Sequence, residues 1–172
     1  MGVAMSGWLS GKTVRIIGSN AAITQALVSA GAALVLDGAS DILVHVAPPA
    51  PAKPAHEISH DEWRSVLGEG LDQRFHAAKL FAEDCRARGA AGAILFVGAA
   101  EQMLGADHAA AAGALGNLTK TLGVEWARDG IRVNSILTGT DNQTLGHLAA
   151  YLVSGYAAYV TGAVMGVDSH DG

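Results

Sequence analysis

The sequence predicts an α/β fold, a parallel sheet with helices on both faces. Two observations predict it. Short β-rich runs alternate with stretches of helical spacing along nearly the whole chain. Asp41-Ile42-Leu43-Val44-His45-Val46-Ala47 and Ala93-Ile94-Leu95-Phe96-Val97 are also apolar almost without a break, as strands buried on both faces must be.

Taken in order, Thr13-Val14-Arg15-Ile16-Ile17-Gly18 is a strand that ends at a turn glycine. Residues 21–30 read as a helix with Gly31 as its stop. The proline-rich stretch 48–54 cannot be helix or inner strand and must be loop. Ser59 and Glu62 then form a capping box, with Ile58 against Trp63 as a hydrophobic staple. Trp63, Val66, Leu67, Leu71, Phe75, Ala78 and Phe81 keep helical spacing behind it, so a single long helix is expected over about 59–87. A second long helix runs over about 107–128 and is closed by Gly130, ahead of the strand 131–136. A helix over about 144–154 and a last strand over 163–167 complete the chain. No internal repeat, linker or second domain interrupts this order, so residues 1–172 are expected to form one domain.

Composition narrows the function. Half the residues are apolar and 16% are charged, which suits a globular core rather than disorder. The formal net charge of −5 lacks the clustered Lys and Arg of a nucleic-acid surface. The single cysteine, Cys85, rules out an internal disulfide and reads as a small core thiol. No apolar run approaches the ~20 residues of a membrane span, and the start lacks the pattern of a signal peptide. A cytoplasmic protein is expected. Of the seven histidines, only His56 and His60 have ligand-like spacing, and they straddle a helix cap, so no metal site is expected.

The chain resembles the short-chain dehydrogenase/reductase family nearly end to end. Gly11 to Gly18 resembles its opening strand, Asp41-Ile42-Leu43-Val44 its fourth strand, and Ile58 to Trp63 the start of its fifth crossover helix. Leu118-Thr119-Lys120-Thr121-Leu122-Gly123-Val124-Glu125-Trp126-Ala127, followed by Gly130-Ile131-Arg132-Val133-Asn134, is close to the family's most specific stretch. The ending, Tyr159-Val160-Thr161-Gly162 through Val167-Asp168, is similar too. The resemblance implies a Rossmann-like sheet, reduced here at its second/third-strand edge. Only Gly38, Ala39 and Ser40 separate Leu34-Val35-Leu36-Asp37 from Asp41. Three residues reach at most ~10 Å, whereas returning along a five-residue strand takes ~17 Å. The second strand is therefore expected to be a stub of about three residues, or absent.

The family's functional residues are replaced. Anchored on Leu118-Thr119-Lys120, its catalytic Tyr-x-x-x-Lys falls on His108 and Ala112. Its serine falls on Gly98 or Ala99, and the asparagine of its crossover helix on Gly70. Only His108 retains acid–base capacity. Of the glycine-rich cofactor loop Gly18 survives, while Ala22 and Thr24 carry a Cβ where the backbone meets the pyrophosphate. The Asn-Asn-Ala-Gly segment reads His45-Val46-Ala47-Pro48. Asp37 stands about 20 residues after the loop, where a ribose-binding acid is expected, but Asp37-Gly38 is also a turn pair. The lid after Ile136 is cut to Thr138 through Gln143.

These losses lead to an expectation of no catalytic, cofactor-binding or metal residues, and of no NAD(P) bound by this chain. In the family the helices matched by 59–87 and 107–128 form an oligomer seam, and Ala109 through Ala114 offers small residues for one. The expected role is therefore a non-catalytic subunit, not an enzyme by itself. It would stabilise a catalytically active, NAD(P)-dependent short-chain dehydrogenase partner in a hetero-oligomer, a heterotetramer by analogy. That partner would act on a hydroxyacyl-CoA or another secondary alcohol. The alternatives are cofactor-independent chemistry using His108, and a ligand-binding or regulatory module.

Overall fold

In the computed structural model, which describes residues 5–48, 51–100 and 105–167, the strands form one parallel six-stranded sheet. The strands are β1 (Thr13–Ile17), β2 (Ala33–Leu34), β3 (Ile42–Val46), β4 (Gly92–Ala99), β5 (Ile131–Thr138) and β6 (Val164–Val167). Their order across the sheet is β2-β1-β3-β4-β5-β6. The Rossmann-like expectation holds. The helices are α1 (Ala21–Ser29), α2 (His60–Leu67), α3 (Gln73–Arg88), α4 (Ala106–Glu125) and α5 (Gln143–Val153).

The strands' period of two sorts their side chains into two core layers. Ile42, Val44 and Val46 of β3, with Ala93, Leu95 and Val97 of β4, meet α1 and α5 through Ile23, Leu27, Leu145 and Ala149. Leu43, Ile94 and Phe96 face the other way, against Ala78, Phe81, Leu115 and Leu122 of α3 and α4. Each buried Val, Leu, Ile or Phe among them is worth about 1.5–3 kcal/mol, so neither layer is dispensable in a chain this short.

β2 is a stub, as the three-residue spacing dictates, but it pairs at Ala33 and Leu34 rather than along Leu34 to Asp37. Asp37 is exposed beyond it. Two motif stretches act as structural ties. Arg132 donates to the carbonyls of Leu152, Val153, Ser154 and Ala157, which closes the carboxyl end of α5 onto β5. Asn134 donates to the Val160 carbonyl at 2.9 Å and accepts from Ala163 N at 3.0 Å, joining β5 to the approach to β6.

The expected single helix over 59–87 is broken. The Ser59–Glu62 capping box opens α2 as expected. A π-turn then covers Gly68–Asp72, with Gln73 N donating to the Gly68 carbonyl. Gly68 and Gly70 hold a regular helix poorly. A Cβ on Gly70 would also lie 3.1 Å from Ala111 Cβ, so glycine lets α4 approach there. Ala78 and Phe81 face inward as expected, with Arg74, Ala82 and Cys85 beside them, while Phe75, expected inward, is 39% exposed. The small-residue run on α4 also divides: Ala111 and Ala112 are buried, whereas Gly113 is exposed with nothing within 4 Å of a Cβ.

Candidate active site

The strand order reverses at β1 and β3, since β2 lies on one side of β1 and all later strands on the other. At such a point the loops leaving the two strands separate and a crevice opens at their carboxyl ends. Gly18 leaves β1 there with φ of 84°, and a Cβ on it would sit 2.3 Å from the Val46 carbonyl oxygen. Only glycine fits both the conformation and that approach.

Asn20 next caps α1, its side chain accepting from Ile23 N at 2.8 Å. Ala22 N donates to Asp141 Oδ1 at 3.2 Å. Thr24, expected to crowd the pyrophosphate, turns its hydroxyl back onto the Asn20 carbonyl at 2.9 Å. Asp141 reaches α1 because Gly146 allows α5 to come close: a Cβ there would lie 2.5 Å from the Ala22 carbonyl oxygen.

Next to this crevice, above β3 and β4, lies a largely apolar cavity of about 80 Å³. Gly70, Gly98, Ala99, His108 and Ala112 all line it, so the positions that sequence reasoning assigned to the family's catalytic residues do converge. Ala47 and Pro48, from the altered segment after β3, form part of its wall. The tempting acid Asp37 is not among the lining residues.

His108 sits in the first turn of α4, and its ring is not isolated. Asp107 Oδ1 accepts from His108 Nδ1 at 2.9 Å and from the His108 backbone N at 2.8 Å. Asp107 is buried, which pushes its carboxyl up, but the bonds from His108 outweigh this and hold it below the usual carboxylate range. With Nδ1–H directed at the carboxylate, Nε2 is the ring nitrogen left for the cavity. Sequence reasoning missed Asp107 as a partner. The available signal was an acid immediately before the histidine in the first turn of a helix.

Two more groups were missed. Arg74 is 1% exposed and lines the cavity; its Nη2 donates to the Val97 carbonyl at 2.6 Å, and its Nε has no partner among the described residues. Burial lowers its pKa to about 10. His45, on β3, faces the same layer and is 4% exposed. Burial, and then the Arg74 charge, push its pKa down to about 4, so it is neutral. Among the described residues, no cluster of His, Cys, Asp and Glu could hold a metal ion, and no helix is long and apolar enough to cross a membrane.

Comparison with known proteins places this geometry. A family profile described as enoyl-(acyl carrier protein) reductase matches residues 17–143. The chain is 30% identical to 3beta-hydroxysteroid dehydrogenase 1 of Eggerthella lenta, over 91% of this chain and 77% of the relative. It is 29% identical to galactitol 2-dehydrogenase (L-tagatose-forming) of Cereibacter sphaeroides, over 84% and 70%. A tropinone reductase homolog of Arabidopsis thaliana is 33% identical, but the chain spans only 40% of that protein's length. Among solved structures, a short-chain type dehydrogenase/reductase from Mycobacterium marinum superposes with a TM-score of 0.84 at 20% identity, covering 96% of each chain.

These findings overturn three expectations. The reading as a non-catalytic subunit, and with it the reading as no enzyme, gains no support: the matching relatives are named dehydrogenases and reductases. The expectation that this chain binds no NAD(P) falls with them. A structural neighbour with a TM-score of 0.75 and 20% identity is a 4-hydroxyisoleucine dehydrogenase complexed with NADH and succinate, and the family profile is that of a reductase. The sequence left His108 without a partner, whereas the structure sets the buried Asp107 carboxylate beside it. The profile match over most of the chain, with the relatives' identity, decides the family: this chain is a short-chain dehydrogenase/reductase.

Proposed function

We propose that this chain is a nicotinamide-dependent oxidoreductase that interconverts a carbonyl group and a secondary alcohol, with His108 as its acid–base group. The observation that carries the reading is the Asp107–His108 pair opening into an apolar cavity beside the switch-point crevice. In oxidation, His108 Nε2 takes the hydroxyl proton of the substrate; in reduction, the protonated ring returns it to the carbonyl oxygen. Asp107 fixes the tautomer and the orientation of the ring, as a carboxylate does behind other catalytic histidines. Apolar groups such as Ala99, Ala112 and Leu115 keep water from the reacting atoms.

The residues present fit the diphosphate of a nicotinamide coenzyme. Gly18 offers bare backbone at the crevice, and the amino end of α1 already draws an oxyanion, the Asp141 carboxylate on Ala22 N. Bound there, the nicotinamide supplies or accepts the hydride. The names of the relatives from Eggerthella lenta and Cereibacter sphaeroides support oxidation of a secondary alcohol.

Asp141 competes with the diphosphate for the same helix end. A fluorescence titration with NADH and NADPH is expected to saturate in the micromolar range for one of them. Asp141→Asn is expected to tighten that binding by a factor of about 2–5, the scale of one charge at a helix terminus. Failure of both coenzymes to saturate at millimolar concentration would overturn the reading.

A further inference from the structure

We propose that the cavity above β3 and β4 binds a small organic carboxylate, with the Arg74 guanidinium as its counter-ion. A buried cation costs free energy unless a charge of opposite sign accompanies it. Arg74 is 1% exposed, yet among the described residues no carboxylate pairs with it. Its only hydrogen bond among the described residues is to a neutral acceptor, the Val97 carbonyl, and Nε has none there.

The neighbours do not supply the missing charge. His45 is neutral and itself has an unpartnered Nδ1. Glu69 reaches the cavity rim but is exposed, and its carboxylate accepts from Ser65 Oγ at 3.4 Å. Asp107 is directed at His108. Among the described residues the requirement stays unmet, which leaves the place for an anion from outside.

The surroundings select its kind. At Gly98 a Cβ would lie 3.5 Å from Arg74 Nη1 and 3.1 Å from Leu137 Cδ2, so the glycine in the family's serine position leaves room for the guanidinium beside the cavity. The planar fork of a guanidinium matches a carboxylate, which can be held through two N–H groups. Phosphate shares the charge, but three or more oxygens facing apolar walls such as Leu115 and Ala112 would go unpaired. A short alkyl chain on a carboxylate suits those walls. Where the oxidoreductase reading holds, on which this last step alone rests, the substrate is a hydroxy or oxo acid with its carboxylate on Arg74 and its reacting oxygen on His108.

The test is calorimetry of the full chain with butyrate, its neutral analogue butyramide, and inorganic phosphate, followed by the nitrogen-15 resonance of Arg74 Nε. Saturable butyrate binding that moves the Arg74 Nε signal is expected, at least a hundredfold tighter than butyramide and tighter than phosphate. Arg74→Met is expected to abolish the preference for the charged ligand, and Arg74→Lys to keep part of it. Equal affinity for butyrate and butyramide, or an unmoved Arg74 Nε signal, would overturn the site. Tighter binding of phosphate would overturn the choice of carboxylate. The wild-type comparison decides even where Arg74→Met does not fold. None of these readouts needs coenzyme or turnover, so butyrate binding without hydride transfer would retain the site and reject the oxidoreductase reading.

Discussion

His108→Ala is expected to lower coenzyme-linked turnover at least a hundredfold, with a much smaller change in coenzyme affinity. General acid–base catalysis by a placed side chain contributes about 10²–10⁴ in rate. His108 is also the only group with acid–base capacity at the family's catalytic positions, the others being Gly70, Gly98, Ala99 and Ala112. Asp107→Asn should have a smaller but clear effect, because the amide can also donate and so no longer fixes the His108 tautomer, although it still fits the space. Circular dichroism separates chemistry from folding, since Asp107 is buried and its loss also frees the His108 backbone N–H. A fall in kcat below tenfold for folded His108→Ala would remove His108 from the mechanism.

Acid is expected to destabilise this protein well above the range where its carboxylates titrate. His45 is held neutral in the fold with a pKa of about 4, against 6.5 in the unfolded chain. Between those values the unfolded chain binds a proton that the folded chain does not, so stability falls as the pH drops through 6.5 and the loss is complete near 4. A shift of this size is worth about 3 kcal/mol, a large share of a typical domain's stability. Arg74 makes the burial harsher by opposing a second positive charge nearby. Asp41 and Asp107 have lowered pKa values, so their contributions are lost only at still lower pH. His45→Asn, which cannot be protonated, should flatten the slope. Urea unfolding at neutral pH and near pH 4 measures it; an equal slope in both proteins would contradict the assignment.

Much of the fold was legible because its signals are local. The apolar runs of β3 and β4, the Ser59–Glu62 box, and Gly130, which closes the short 3-10 turn Ala127–Asp129 after α4 ends at Glu125, each carry their own stereochemistry. The stub at β2 was legible from chain length alone. The π-turn at Gly68–Asp72 was not, because apolar spacing continues across it and the packing of Gly70 on Ala111 leaves no mark in the sequence. Arg74 was missed for another reason: an arginine reads as solvent-facing, although it stands one turn before Ala78 on the buried stripe. The positions around His108 were found by matching motifs, but the Asp107 partner of His108 was not. A carboxylate partner on the adjacent residue is a matter of side-chain direction, which sequence spacing does not reveal. The core thiol, Cys85, lies buried as read.

The most direct measurement of the central claim is label transfer from NADH or NADPH deuterated at the transferring carbon, using paired short-chain ketones and oxo acids as acceptors. The account predicts deuterium on the carbinol carbon of the product, dependent on His108, with oxo acids favoured over ketones of equal length. Absence of label from every acceptor, with a folded protein that binds coenzyme, would contradict it.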